Sequence, residues 1–168
     1  MFSGVLISFI LRTFHLSPVS LGFFVCYFDA GLSHCLPSWI AFEASCYKLF
    51  TDLKERASSK QVCNDNSAHL VTIESAEKQT FIYEKFLAGP DSKDYWIGLT
   101  DADVENDWKW CDGRKLTMYT NWAPGQPNNY NNNQDCVAIR KGRFFDTDYD
   151  GEWHDDACTD KKGFICEK

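Results

Sequence analysis

The sequence predicts an α+β domain held by disulfides, with two helices, a small mixed sheet and a large irregular loop lobe. Three observations carry that reading. Eight cysteines stand at wide, uneven spacing in 168 residues. Helical periodicity is confined to two segments of the first half, and short β-type runs separated by long polar segments make up the second. The cysteines are Cys26, Cys35, Cys46, Cys63, Cys111, Cys136, Cys158 and Cys166. No C-x-x-C pair occurs, so the pattern speaks for a disulfide framework in an oxidising compartment over a zinc site. Seventeen Lys and Arg against 24 Asp and Glu give a net charge of −7. A general nucleic-acid binder would show a basic stripe instead.

Taken in chain order, residues 1–33 read as an export leader. Their apolar runs are broken by Arg12, His15 and Pro18, and each falls short of the roughly 18 to 20 residues that a membrane span needs. Gly31-Leu32-Ser33 offers a small-x-small cleavage site before His34. A type II anchor or a mis-assigned start is the alternative. Residues 34–168 then form one domain, and Cys26 leaves with the leader. Residues 45–50 read as a strand, and 52–64, with Leu53, Ala57 and Cys63 near helical period, as the first helix. A second strand covers 70–73. Ser75 caps a second helix that has Glu77 in its first turn and Phe81, Ile82 and Phe86 on one face, and Gly89-Pro90 stops it. Strand-like runs follow at 95–99, 108–110, 137–139 and 163–166. Segment 112–134 is rich in Asn, Gly and Pro, and loops of that length in a compact domain are functional or disordered. Trp122, Pro124, Pro127 and Tyr130 stiffen and pack it, which favours function.

Trp96, Trp108 and Trp110 lie in the strand-like runs and read as core. His69, beside Leu70, reads as a partly buried structural histidine. Catalysis is not expected. His34, His69 and His154 have no nucleophilic Ser in a strained turn to serve, and no Gly-rich loop cradles a phosphate.

Trp96-Ile97-Gly98-Leu99, Trp108-Lys109-Trp110 with Asp112-Gly113, Asn121-Trp122, Gln126-Pro127-Asn128, Trp153-His154-Asp155, and Cys158 with Cys166 follow one another in an order and spacing that resembles the C-type lectin domain. The resemblance runs from Cys35 to Glu167. It implies that fold, and a secreted, calcium-dependent carbohydrate-binding lectin with glycans or glycoproteins as partners. Six cysteines allow fifteen connectivities; the resemblance implies Cys35 with Cys46, Cys63 with Cys166, and Cys136 with Cys158. It also implies a cis peptide before Pro127, which an X-Pro bond makes inexpensive.

Mapped by motif, the sugar would be bound by Gln126, Asn128, Gln134, His154 and Asp155, and the calcium ion shared with it held by Gln126, Asn128, Gln134 and Asp155. Gln126 resembles the galactose-preferring class, and Asn128 the mannose class. Gln134 and His154 stand where the family pattern has Glu and Asn, so Asp155 alone brings charge. Calcium affinity rises with ligand charge, and an imidazole is a poor ligand for so hard an ion. An auxiliary calcium site would use Asp101, Glu105, Asn129 and Asp135, with a solvated acidic loop as the alternative. Asp146-Thr147-Asp148-Tyr149-Asp150-Gly151 has the D-x-D-x-D-G form of a calcium loop, with Ala157 where a bidentate Glu would stand; an acidic hairpin tip is the other reading. Cys111 is the odd cysteine, pointing to a disulfide-linked dimer or a buried spectator. The alternative function is a lectin-like module that binds protein, mineral or another surface without calcium.

Overall fold

The computed structural model describes residues 35–88, 93–144, 147–148 and 151–168. The leader, His34 and the Gly89-Pro90 stop lie outside them, as do Asp146 and Asp150 of the acidic motif. In chain order the elements are β1 (Ile40–Phe42), β2 (Ser45–Lys54), α1 (Arg56–Asp65), β3 (His69–Leu70), α2 (Ala76–Ile82), β4 (Lys93–Thr100), β5 (Cys136–Lys141), β6 (Arg143–Phe144), β7 (Thr147–Asp148), β8 (Trp153–Asp156) and β9 (Lys162–Glu167). Among the described residues no helix is long and apolar enough to cross a membrane.

The mixed sheet is present and larger than the sequence predicts. Seven strands run in the order β1-β2-β9-β4-β5-β8, with β3 also paired to β9. Only the β4–β9 pair is parallel; the others in this sheet are antiparallel. Strands β6 and β7 pair antiparallel in a separate two-stranded sheet, Arg143 opposite Asp148 and Phe144 opposite Thr147.

Several boundaries differ from the sequence reading. Residues 52–54 extend β2 instead of opening α1, because Lys54 pairs with Lys162 of β9. The helix starts at Arg56 and buries Ser59 and Cys63, not Leu53 and Ala57. Residues 71–73 are not a strand. Val71 still donates its N–H to the Ile165 carbonyl and accepts the Gly98 N–H, so this buried segment is stitched between β9 and β4. Gly98 is required at that crossing: a Cβ there would lie 2.8 Å from the Leu70 carbonyl oxygen and 2.9 Å from that of Val71. Residues 108–110 make no strand either, since Lys109 forms only isolated bridges to Thr100 and Lys115. Trp96 and Trp110 are core as expected, while Trp108 is half-buried.

The second helix begins where expected, with the Ser75 hydroxyl accepting the Lys78 N–H, a capping bond that satisfies one of the helix's free donors. It bears Phe81 and Ile82 inward and continues as one π-helical turn, Tyr83–Leu87. Lys78 ties it to the sheet. Its ammonium lies 2.7 Å from Glu167 Oε1, which also receives the Tyr47 hydroxyl, while Thr72 donates its N–H and hydroxyl to Oε2.

All three expected disulfides are formed: Cys35–Cys46, Cys63–Cys166 and Cys136–Cys158. The second joins α1 to β9 across 103 residues. A closure of that length removes unfolded-state entropy equivalent to about 4 to 5 kcal/mol in the chain-entropy model.

Candidate functional site

The long loop is fastened to the sheet by its own backbone. Trp153 donates its N–H to Asn121 and accepts that of Ala123, so residues 121–123 lie along the free edge of β8. Tryptophans lock the junction: Trp122 packs edge-on against both Trp153 and Trp108, with centroids 5.8 and 5.1 Å apart. Beyond this clamp the chain turns at Gly125 (φ +81°) and passes through the cis Gln126–Pro127 peptide.

The loop tip then closes on Asp155. The Asn128 N–H sits 3.0 Å from both oxygens of this carboxylate, and the Asn129 N–H donates to Oδ2 at 2.6 Å. Asp155 is buried, so these charge-assisted bonds act away from water, where they are strongest. Side-chain amides complete the network. Tyr130 N–H donates to Asn128 Oδ1 and to Gln134 Oε1, and Gln134 N–H donates to Asn129 Oδ1. The run of asparagines has a backbone reason as well. Asn129, Asn131 and Asn132 all have φ between +40° and +59°, a region that Asn tolerates better than most residues.

Asn128, Asn129, Gln134 and Asp155 are thus brought together at one tip, and Gln126 precedes it across the cis peptide. Gln126 Oε1 is buried there and accepts no hydrogen bond, and the Tyr130 ring beside them is 68 % exposed. His154 does not join this group. Alternation along β8 turns it to the opposite face, where it is 3 % exposed with Nε2 3.2 Å from Asp94 Oδ2 and 3.6 Å from Asp156 Oδ2.

That face holds a charge cluster that the sequence reading missed. Asp94 receives Arg140 through two contacts of 3.2 Å, and Lys162 lies 2.6 Å from Asp156. Burial works to raise the Asp94 carboxyl, but His154 and Arg140 more than reverse it and hold it at about 2. Burial likewise works to lower the His154 pKa, and Asp156 and Asp94 outweigh it, so the net direction is up. Asp94, His154 and Asp156 bring three potential ligand atoms within 4.8 Å of one another. Arg140 and Lys162 already neutralise the two carboxylates, so the arrangement is an ion-pair network and repels a further cation. The legible signal was alternation, which places His154 and Asp156 on one face of β8 and Asp155 on the other.

The auxiliary set is laid out differently. Asp101 is 4 % exposed; its Oδ2 accepts the Asn106 N–H and its Oδ1 has no partner. Its backbone N–H reaches the Asp135 carbonyl. Burial, with the charges of Glu105 and Asp135, raises the Asp101 carboxyl above its ordinary value. A cation beside the free oxygen would relieve both effects, so this group fits a metal ion. The loop tip fits one in part: Gln126 Oε1 is free, whereas both oxygens of Asp155 already accept N–H groups. Cys111 is half-buried, and its thiol donates to the Leu70 carbonyl at 3.1 Å; burial pushes its pKa up to about 11.

A disulfide-bonded α+β domain with a long loop lobe folded over one edge of a mixed sheet defines the class of the C-type lectin fold. The family model of the lectin C-type domain matches residues 52–168, and the chain belongs to that family. It is 35 % identical to human asialoglycoprotein receptor 2 over 169 residues, covering 92 % of this chain and 50 % of the receptor, so the chain spans half the length of that relative. Among solved structures it resembles the carbohydrate-recognition domain of the mouse scavenger receptor C-type lectin, with a TM-score of 0.70 and 36 % identity over 80 % of this chain and 97 % of that one. It also resembles a calcium-independent type II antifreeze protein, with a TM-score of 0.67 and 25 % identity over 80 % and 93 % of the two chains.

Proposed function

We propose that this domain is a secreted, calcium-dependent lectin, released from residues 1–33, that binds galactose-type sugars through the Gln126-Pro127-Asn128 loop. The observation that carries the reading is the convergence of Asn128, Gln134 and Asp155 at one loop tip, next to Gln126, whose Oε1 is unsatisfied. A side-chain amide offers both a donor and an acceptor. Gln126 and Asn128 can therefore each meet a sugar hydroxyl in either sense. The exposed Tyr130 ring offers an apolar face against which the C–H face of a pyranose packs. Calcium, held by Gln126, Asn128, Gln134 and Asp155, would supply direct oxygen coordination of the sugar hydroxyls. Asp101, Glu105, Asn129 and Asp135 would hold a second ion that stiffens the loop base. Similarity to a carbohydrate-recognition domain supports this reading.

The alternative, binding of a protein, mineral or other surface without calcium, is favoured by one observation. Asp155, the single carboxylate of the primary set, spends both oxygens on backbone N–H groups. Calorimetric titration of the purified chain with calcium, followed by galactose and mannose columns with and without chelator, separates the two. Heat in the millimolar calcium range and chelator-reversible retention on galactose, lost in Gln126→Ala/Asn128→Ala, are expected. No heat, with chelator-insensitive retention or none, would overturn the lectin reading.

A further inference from the structure

Between the first turn of α1 and the segment that follows β4 lies a cleft of about 300 Å³, at the low end of small-molecule sites. Arg56 and Lys60 line it from α1, four residues apart and so on one helix face; Thr100, Asp101, Trp110 and Cys111 line it from the other side.

Its polar groups are unusually short of partners. Among the described residues Arg56 meets no carboxylate. Its Nη2 donates only to the Gly98 and Leu99 carbonyls, at 3.2 and 3.5 Å, and its Nε is buried with no acceptor. A guanidinium withdrawn from water normally sits against an anion; here burial lowers the Arg56 pKa below its ordinary value. Trp110 is 2 % exposed, and its Nε1–H has no acceptor either. Lys60 makes no ion pair among the described residues. The carboxylates that also line the cleft do not answer these donors: Asp107 is engaged by Lys109 and Lys115, at 3.0 and 2.8 Å, and Asp103 is exposed. Asp101 contributes the opposite deficit, a buried Oδ1 with nothing to accept.

Arg56 and Lys60 therefore bring unanswered donors to one wall, and the other wall carries the unanswered Trp110 N–H together with the unanswered Asp101 acceptor. We propose that the cleft is a binding site for a small carboxylate or sulfate carrying an adjacent hydroxyl or ammonium group, the chemistry shared by acidic sugars and α-amino acids. The oxyanion lies against Arg56 and Lys60, and the neighbouring donor reaches Asp101 Oδ1. The site shares Asp101 Oδ1 with the auxiliary calcium set, so the ligand's donor and a cation exclude each other at that oxygen, and it shares no residue with the 126–128 loop.

The indole N–H resonance of Trp110 in the ¹⁵N-labelled full chain reads the cleft directly. Glucuronate, glycine and sulfate are titrated separately at constant ionic strength in excess chelator, with galactose as the neutral control. A saturable shift of that resonance with glucuronate or glycine, absent with galactose, is expected, and Lys60→Gln should weaken it at least tenfold. Lys60 is exposed, so its substitution leaves the fold intact, which the other indole resonances verify; Arg56→Gln serves as a second variant. Glucuronate binding more tightly than glycine identifies the acidic sugar as the source, and the reverse order the amino acid. No saturable shift with any anion, or unchanged affinity in Lys60→Gln, overturns the proposal. Because the titration is run in chelator, its failure leaves the calcium-dependent sugar reading as it stood, and loss of calcium-dependent retention on galactose leaves this site as it stood.

Discussion

Glu167 concentrates more of the fold on one side chain than its place near the end of the domain suggests. Burial works to raise its carboxyl, but Lys78, the Thr72 N–H and the Tyr47 hydroxyl outweigh that and hold it below its ordinary 4.5. A depressed folded value means that the charged form stabilises the protein above the ordinary value, and that this contribution disappears as pH falls through the lower one. Denaturant unfolding of the wild type should thus lose stability from about pH 4.5 downward, and Glu167→Gln should flatten that acid limb. Lys78→Met leaves a buried carboxylate without its cation and is expected to cost ~3–5 kcal/mol at neutral pH. A loss below 1 kcal/mol would show that the pair is solvated. None of this was legible in the sequence, because Lys78 and Glu167 are 89 residues apart and nothing local marks them as partners. His154 illustrates the opposite limit. Motif matching assigned it to the sugar site, whereas the two-residue period of a strand sends it to the far face with Asp94.

At the scale of elements, β8 and the loop tip behave as one unit. Asp155 anchors the tip through the Asn128 and Asn129 N–H groups, and hydrogen bonds to a charged group are worth roughly 1.5–3 kcal/mol each. Asp155→Ala is therefore expected to accelerate amide hydrogen exchange at Asn128 and Asn129 by at least tenfold while exchange in β9 stays slow. Equal acceleration in both places would mean that the residue supports the whole domain and not the loop. Periodicity made the second helix legible, with its Ser75 cap, because Phe81 and Ile82 lie on one helical face. It misplaced the start of the first, where alternating residues of β2 run on to Lys54 under the pull of pairing with β9. Trp108–Trp110 has strand composition without strand pairing, since a β-rich composition reports a fit to half-buried surfaces and not hydrogen bonding itself.

For the whole molecule, the fold was legible chiefly through the resemblance. Spacing indicated that disulfides exist, but fifteen connectivities were open. The widest bond is also the most consequential. Cys63→Ala/Cys166→Ala should lower unfolding free energy by about 4 to 5 kcal/mol, read as a shift of the urea midpoint with native-like far-UV dichroism retained at low temperature. A midpoint unchanged from wild type would place the stabilisation elsewhere. The seven-stranded sheet, by contrast, could not be counted in advance. Strand β1 is three residues long and β3 only two, too short to show a period, and each exists because a longer strand lies beside it.

The position of β9 has a consequence for biosynthesis. Among the strands of the main sheet it is the last to leave the ribosome, yet it lies between β2 and β4 and also carries β3. Until Lys162–Glu167 has emerged, β2 and β4 share no neighbour, Cys63 has no Cys166 to join, and the inner edges of the two halves stay open. The sheet therefore closes only after all its other strands have been made. Throughout that interval β4, with five consecutive buried residues, presents an apolar edge that the nascent chain must keep from other chains.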